Sequence, residues 1–288
     1  MGSLATHLST FLFLFPIGLR RLLCSSSLYL QNPSHFRSKP WFLSHHKWKN
    51  VDLYALLVAL PIASFSDIFL FLSIPGDPTY RFSFIKQSAV ILLFWALLIL
   101  IILRESVDTP LINESFLFLL AGISFVVDYW MSESGFTGVS SIVYELLGGL
   151  TLVCACSCLY LSIWPAAFLA EFFLGSGITF KGTWMLQAGL SLYTDVFVLK
   201  GCGKMSVLPG QDKADVKCDL KEDSLRGIAL MNLLFIGHAI GVLVIVFGSF
   251  CLLSSNQNLR YGEASGRLLA ELESDPVLRP PLPELEMD

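Results

Sequence analysis

The chain has 288 residues, of which 54% are hydrophobic and 15% charged, with a formal net charge of −4. Soluble domains carry about 25% charged residues, and nucleic-acid binders carry a basic footprint. The composition therefore excludes a soluble enzyme, a disordered protein and a nucleic-acid partner, and leaves a multi-pass membrane protein whose partner is the lipid bilayer.

A transmembrane helix needs about 20 mostly apolar residues. Stretches of that kind fall at 4–23, 53–74, 82–103, 111–131, 141–164 and 227–253, with a further one from Pro165 to about residue 198. They predict an all-α polytopic bundle: a seven-span domain over 1–253, with a loop at 199–226, and a tail over 254–288. The first stretch reads as a span rather than a signal peptide. No basic residue precedes it, and Arg20-Arg21 follow it. The stretch after Pro165 is too long for an upright span, which predicts tilt, with a kink point at Gly175-Ser-Gly177.

Orientation follows from basic residues in short loops. Arg20, Arg21, Arg37, Lys39, Lys47 and Lys49 precede the second span with no acid before Asp52. This loop is expected in the cytosol, which puts the N-terminus outside or in a lumen and the C-terminus in the cytosol, in the endomembrane system or the plasma membrane. Lys200, Lys204, Lys213, Lys217, Lys221 and Arg226 pull the other way, although acids interleave with them. Cys202 and Cys218 share that loop and are the candidate disulfide. Such a bond needs an oxidising compartment, in agreement with the first loop. Cys154, Cys156 and Cys158 lie in an apolar run and read as packing residues, while Cys24 and Cys251 sit at span ends where palmitoylation occurs. The sequon Asn113-Glu-Ser115 falls on the cytosolic side, so no glycan is expected there.

The tail reads as a solvated, disordered segment with a short helix at 261–274 and an extended stretch at Arg279-Pro-Pro-Leu-Pro283. It is the candidate contact for a cytosolic partner.

Ionisable groups inside a bilayer cost roughly 2.5–3.5 kcal/mol each on insertion scales, so each needs a partner or a wet cavity. His7, Asp67, Lys86, Asp128, Glu145, Glu171, Lys181, Asp195 and His238 are of this kind. His7, Asp67, Lys86, Asp128 and Glu145 fall in the outer half and form the candidate polar cavity, with Asp67–Lys86 a plausible pair. Ten residues on a helix turn about 1000°, so Glu171 and Lys181 face within about 80° of each other. The functional reading is a site for a cation, a proton or a small polar ligand. The structural reading is paired charges that hold the bundle together, with end residues reaching the headgroups.

No catalytic residue, metal ligand set or cofactor motif is assigned. No H-E-x-x-H, phosphate loop or Ser-His-Asp arrangement occurs in the sequence. Gly237-x-x-x-Gly241 predicts a helix-packing seam with His238 on its flank, and a candidate homodimer contact through span seven.

Ile178-Thr-Phe-Lys-Gly-Thr-Trp184, Gly189, Lys200-Gly-Cys202, Cys218 and Asn232-Leu-Leu-Phe235 resemble the last two spans of the plant transmembrane-protein-45-like family. Gly2, His7, Phe15 and Gly18, with Pro40-Trp41-Phe42, resemble its start. The resemblance covers nearly the whole chain and is densest over 178–245. It implies a multi-pass helical protein without an established activity, in a family some of whose members are linked to defence or stress. Where many members carry a Glu-His pair and further histidines, this chain has Lys86-Gln87, Asp128 and Glu145, while Asp67 and His7 match. It therefore reads as a divergent member. Three functions follow as expectations: a noncatalytic scaffold or stress-associated factor, a transporter or cation- or proton-binding protein using the polar cavity, and an intramembrane metal-dependent hydrolase.

Overall fold

The computed structural model describes residues 4–42, 50–73, 78–107, 113–132, 138–194, 201–203, 216 and 218–274. The described residues form long helices: α1 Leu4–Gln31, α2 Val51–Ser73, α3 Pro78–Val107, α4 Glu114–Ser132, α5 Gly138–Ile163, α6 Phe168–Tyr193 and α7 Lys221–Ser274. A 3-10 turn at Pro33–His35 follows α1. The protein is an all-α bundle, and six of the helices are long and apolar enough to cross a membrane. Helix α6 is the exception, and it is the most enclosed: Glu171, Trp184, Ala188 and Leu192 are all buried. A helix shielded by protein does not need a wholly apolar surface.

Neighbouring helices run antiparallel. Gly122 of α4 meets Leu159 of α5, Ser64 of α2 meets Ser88 of α3, and Thr183 of α6 meets His238 of α7. The bundle thus has two faces. The N face holds the starts of α1, α3, α5 and α7 and the ends of α2, α4 and α6. The C face holds the starts of α2, α4 and α6, the ends of α1, α3 and α5, and the far part of α7.

The closest seam joins α1 to α6. Gly175, Gly182 and Gly189 recur every seven residues along α6. A Cβ at these positions would meet Leu22, the backbone of Phe15 and His7 within 2.7–2.8 Å. A Cβ on Gly18 would meet the backbone nitrogen of Thr179 from the other side at 2.5 Å. A small residue every heptad keeps one contact line in register along two helices. These glycines serve close approach, and α6 continues as one helix through the expected kink point.

Helix α5 buries Val139, Val143, Leu147, Leu150, Cys154, Cys158 and Leu161, a stripe with three- and four-residue steps. Helix α2 buries only Leu53, Leu56 and Ser64, and exposes Val58, Ile62, Phe65, Phe69 and Leu72. Helix α7 exposes Leu233, Ile236, Ile240, Val244 and Phe247. These apolar faces suit contact with lipid chains.

The helix bounds correct the sequence reading in two places. Helix α1 passes through Arg20-Arg21 and ends at Gln31, and the helix expected at 261–274 is not separate but the continuation of α7, which runs unbroken to Ser274. Asp195, most of the 199–226 loop and Arg279–Pro283 lie outside the described residues. Cys202 and Cys218 are disulfide-bonded and pair as a short antiparallel bridge. Val216 packs beside them onto Val139, Val143, Ala188, Leu192 and Met231, which fixes this segment over the N-face ends of α5, α6 and α7. Gly201 supports the turn with a positive φ of 76°, which suits a residue without a side chain.

Candidate functional site

Helices α1 to α6 surround a cavity of about 720 Å³. Around it the order is α1, α6, α5, α4, α3, α2, with α2 touching α1 least. Most of the wall is apolar: Phe13, Ile17, Leu60, Phe94, Leu98 and Phe118 are representative. Toward the N face the lining turns polar, with His7, Lys86, Gln87, Asp128, Tyr144 and Lys181.

Lys181 and Asp128 form an ion pair across α6 and α4, with Nζ 2.5 Å from Oδ2. Both side chains are mostly buried, and the ammonium lies 5.9 Å from the Phe125 ring centroid. His7 is 1% exposed and packs against the Tyr193 and Tyr144 rings. Gly189 makes room for it, since a Cβ there would strike His7.

The C-face end is closed by the segment after α1. Arg21 donates to the Pro40 carbonyl at 2.9 Å, to the Lys39 carbonyl at 3.1 Å and to Glu171 Oε2 at 2.7 Å. Ser38 donates to the same Glu171 oxygen, and its backbone N–H donates to Pro165 O at 2.8 Å. Arg20 bonds the Phe42 carbonyl, Asn50 and Asp52. Two adjacent arginines thus bind a stretch of backbone that would otherwise lack partners, and Pro40 and Trp41 form the end wall of the cavity. Glu171 is fully buried, and the Arg21 pair is what permits a charge there.

The expected site residues divide. His7, Lys86 and Asp128 come together on the cavity wall. Asp67 is not among the described lining residues: its Oδ2 is buried without a hydrogen bond, and the ion pairs among the described residues do not include Asp67–Lys86. Glu145 is exposed and also lies off the wall. Glu171 and Lys181 do not pair with each other, since each has a partner on another helix. A Cβ added at Gly237 or Gly241 would meet nothing within 4 Å, so the seam expected there is not a contact among the described residues of this chain. His238 instead belongs to the α6–α7 packing: it bonds Thr183 at 2.9 Å and stacks on Phe180. Arg21 and Ser38 escaped the sequence reading because both looked like loop residues beyond the end of a span.

No group of three or more metal-ligating side chains occurs among the described residues. The model of a family of unknown function, DUF716, matches residues 114–251. The chain is similar to DUF716 over α4, α5, α6 and the first part of α7. That segment supplies Asp128, Glu171 and Lys181, whereas His7, Arg21, Ser38 and Lys86 lie before it. Comparison with curated proteins gives no match.

Proposed function

We propose that this chain is a noncatalytic integral membrane protein that holds a small molecule in its central cavity. The observation that carries the reading is the cavity itself. Its volume of about 720 Å³ lies in the range of roughly 300–1,000 Å³ usual for small-molecule sites. Mainly apolar walls with a few converging polar groups are also usual for such sites. Conduction of a cation or proton has less support, because selectivity filters and proton relays are built from rings or chains of polar and charged groups. Here the wall is apolar for much of its length, and Arg21, Pro40 and Trp41 line the C-face end, held by the Glu171 and Ser38 bonds.

The basic loop before α2 and the Cys202–Cys218 bond both favour an N face toward a lumen or the outside. The α7 tail then lies in the cytosol, in the endomembrane system or the plasma membrane. The resemblance to the plant transmembrane-protein-45-like family is densest within the DUF716-like segment. It supports a divergent relative with a stress- or defence-associated role.

A second reading rests on α7. Gly237, Gly241 and Gly248 face open space on an otherwise apolar helix. A scaffold that pairs through this face, with a second copy or another helix, fits that observation, and the tail remains the candidate contact for a cytosolic partner.

The test of the first reading is recovery of the occupant. Protein purified in mild detergent is extracted with organic solvent and analysed by mass spectrometry. Ala59→Trp and Ala121→Trp, which fill the cavity from α2 and α4, are treated alike. The expected result is a near-stoichiometric compound in the unaltered protein that both variants lack. Identical extracts and identical melting behaviour for all three proteins would overturn the reading.

A further inference from the structure

Resting on the reading of the cavity as a binding site, we propose that its occupant is a single-chain amphiphile with an anionic, acceptor-rich head group. The head would sit at Lys181, and the chain would run along the apolar wall toward Trp41.

The charged groups of the wall lean toward donors. Its charged residues are Arg21, Lys86, Asp128 and Lys181. Three of these only donate, and Asp128 is the one carboxylate among the described lining residues. Arg21 is committed to Glu171 and to the carbonyls of Lys39 and Pro40. Lys181 spends one donor on Asp128. An ammonium has three donors and no acceptor, so Lys181 retains capacity for a ligand oxygen. The side chain is 12% exposed, where such a bond gains from the low local dielectric. An anionic head gains the charge of Lys86 and Lys181 against the one carboxylate of Asp128, a neutral oxygen accepts from Lys181 without that gain, and a cationic head is repelled by both lysines.

The remainder of the wall sets the body of the ligand. Beside Lys181 and toward the closed end the lining includes Ile178, Phe125, Phe94, Leu98 and Ile17. In a bilayer an alkyl chain gains little by exchanging lipid for protein, because lipid tails are as apolar as leucine. Selection among membrane amphiphiles therefore falls to the head group, and so to Lys181.

The test compares head groups on one chain. Oleate, oleoyl lysophosphatidate, oleyl alcohol and oleylamine are titrated against the full-length protein in detergent, with binding read by displacement of a fluorescent fatty-acid probe. Oleate or lysophosphatidate is expected to bind at least tenfold more tightly than the alcohol and the amine. The stronger of the two anions tells a carboxylate from a phosphate head, and either supports the proposal. Lys181→Gln is expected to remove the preference while oleyl alcohol binding is kept, and Lys181→Arg to retain it. Equal binding of all four amphiphiles to the unaltered protein overturns the head-group inference and leaves the binding reading standing. Failure of all four, together with an empty organic extract, overturns both. The unaltered protein alone decides between these outcomes, even if Lys181→Gln does not fold.

Discussion

Arg21 and Glu171 lie 150 positions apart in the sequence and form a buried ion pair at 2.7 Å, with the Glu171 side chain wholly shielded. The arginine also binds the carbonyls of Lys39 and Pro40. One residue thus joins α1, α6 and the closing segment, and ties the folding of the bundle to the closure of its cavity.

Removing either charge is expected to be severe. Arg21→Ala or Glu171→Ala leaves the other charge buried without its ion-pair partner, at a cost of about 3–5 kcal/mol. Arg21→Met combined with Glu171→Leu removes both charges and keeps the volume, so it is expected to recover part of that loss, the Lys39 and Pro40 carbonyls still lacking Arg21. Thermal unfolding of purified protein measures the difference. A double variant as unstable as the sum of the singles would show that the two residues act independently.

The α6 glycines give a second prediction. A Cβ on Gly182 would lie 2.8 Å from the backbone nitrogen of Phe15, which cannot rotate away. Gly182→Ala is expected to cost about 1–3 kcal/mol, the usual range for overpacking. Gly237→Ala meets open space within the chain and is expected to leave monomer stability unchanged. Crosslinking in membranes of a bulkier variant, Gly237→Leu, adds a separate readout. Loss of a crosslinked dimer in Gly237→Leu, with unaltered melting, is the result expected if α7 pairs with a second copy.

The spans were legible because lipid imposes a simple demand: about 20 apolar residues in a row. Partners were not, since pairing depends on how helices pack. Helical geometry alone puts Glu171 and Lys181 on nearby faces, yet their partners are Arg21 and Asp128. The arginine pair also hid the length of α1, because charge near the end of an apolar run reads as the membrane surface. The seven-residue spacing of Gly175, Gly182 and Gly189 was present in the sequence and marks the main seam. The Gly237–Gly241 pair has the better-known spacing but makes no contact among the described residues. Spacing shows where a close approach is possible, and only the neighbouring helix decides whether it occurs.

Orientation is tested by chemistry on either face. Cys202 and Cys218 are bonded to each other, so maleimide is expected to miss them until a reductant is added. Cys202→Ser is expected to abolish the mobility difference between reduced and unreduced protein. Asn113 is exposed at the C-face start of α4, and with that face in the cytosol its sequon stays unmodified. A mass loss on glycosidase treatment that disappears in Asn113→Gln would reverse the assigned orientation.

Closure of the C face makes the final prediction. Trp41 and Pro40 form that end of the cavity, held there by Arg21 and by the Ser38–Glu171 and Ser38–Pro165 bonds. A cysteine placed at Ile17, on the wall beside Trp41, is therefore expected to resist a charged thiol reagent applied from the C face. Ser38→Ala removes one hydroxyl bond to Glu171 and keeps the arginine pair, so the fold is expected to survive with a looser closing segment. Adding Trp41→Ala removes the cap itself. Modification of the Ile17 cysteine is then expected to rise in that order, from background, to partial, to rapid. The same cysteine read from the N face should change little across the series, because the polar end of the cavity is untouched. Rapid modification from the C face in the otherwise unaltered protein would show that this end of the cavity is open, and together with modification from the N face it would favour transport over retention of a bound molecule.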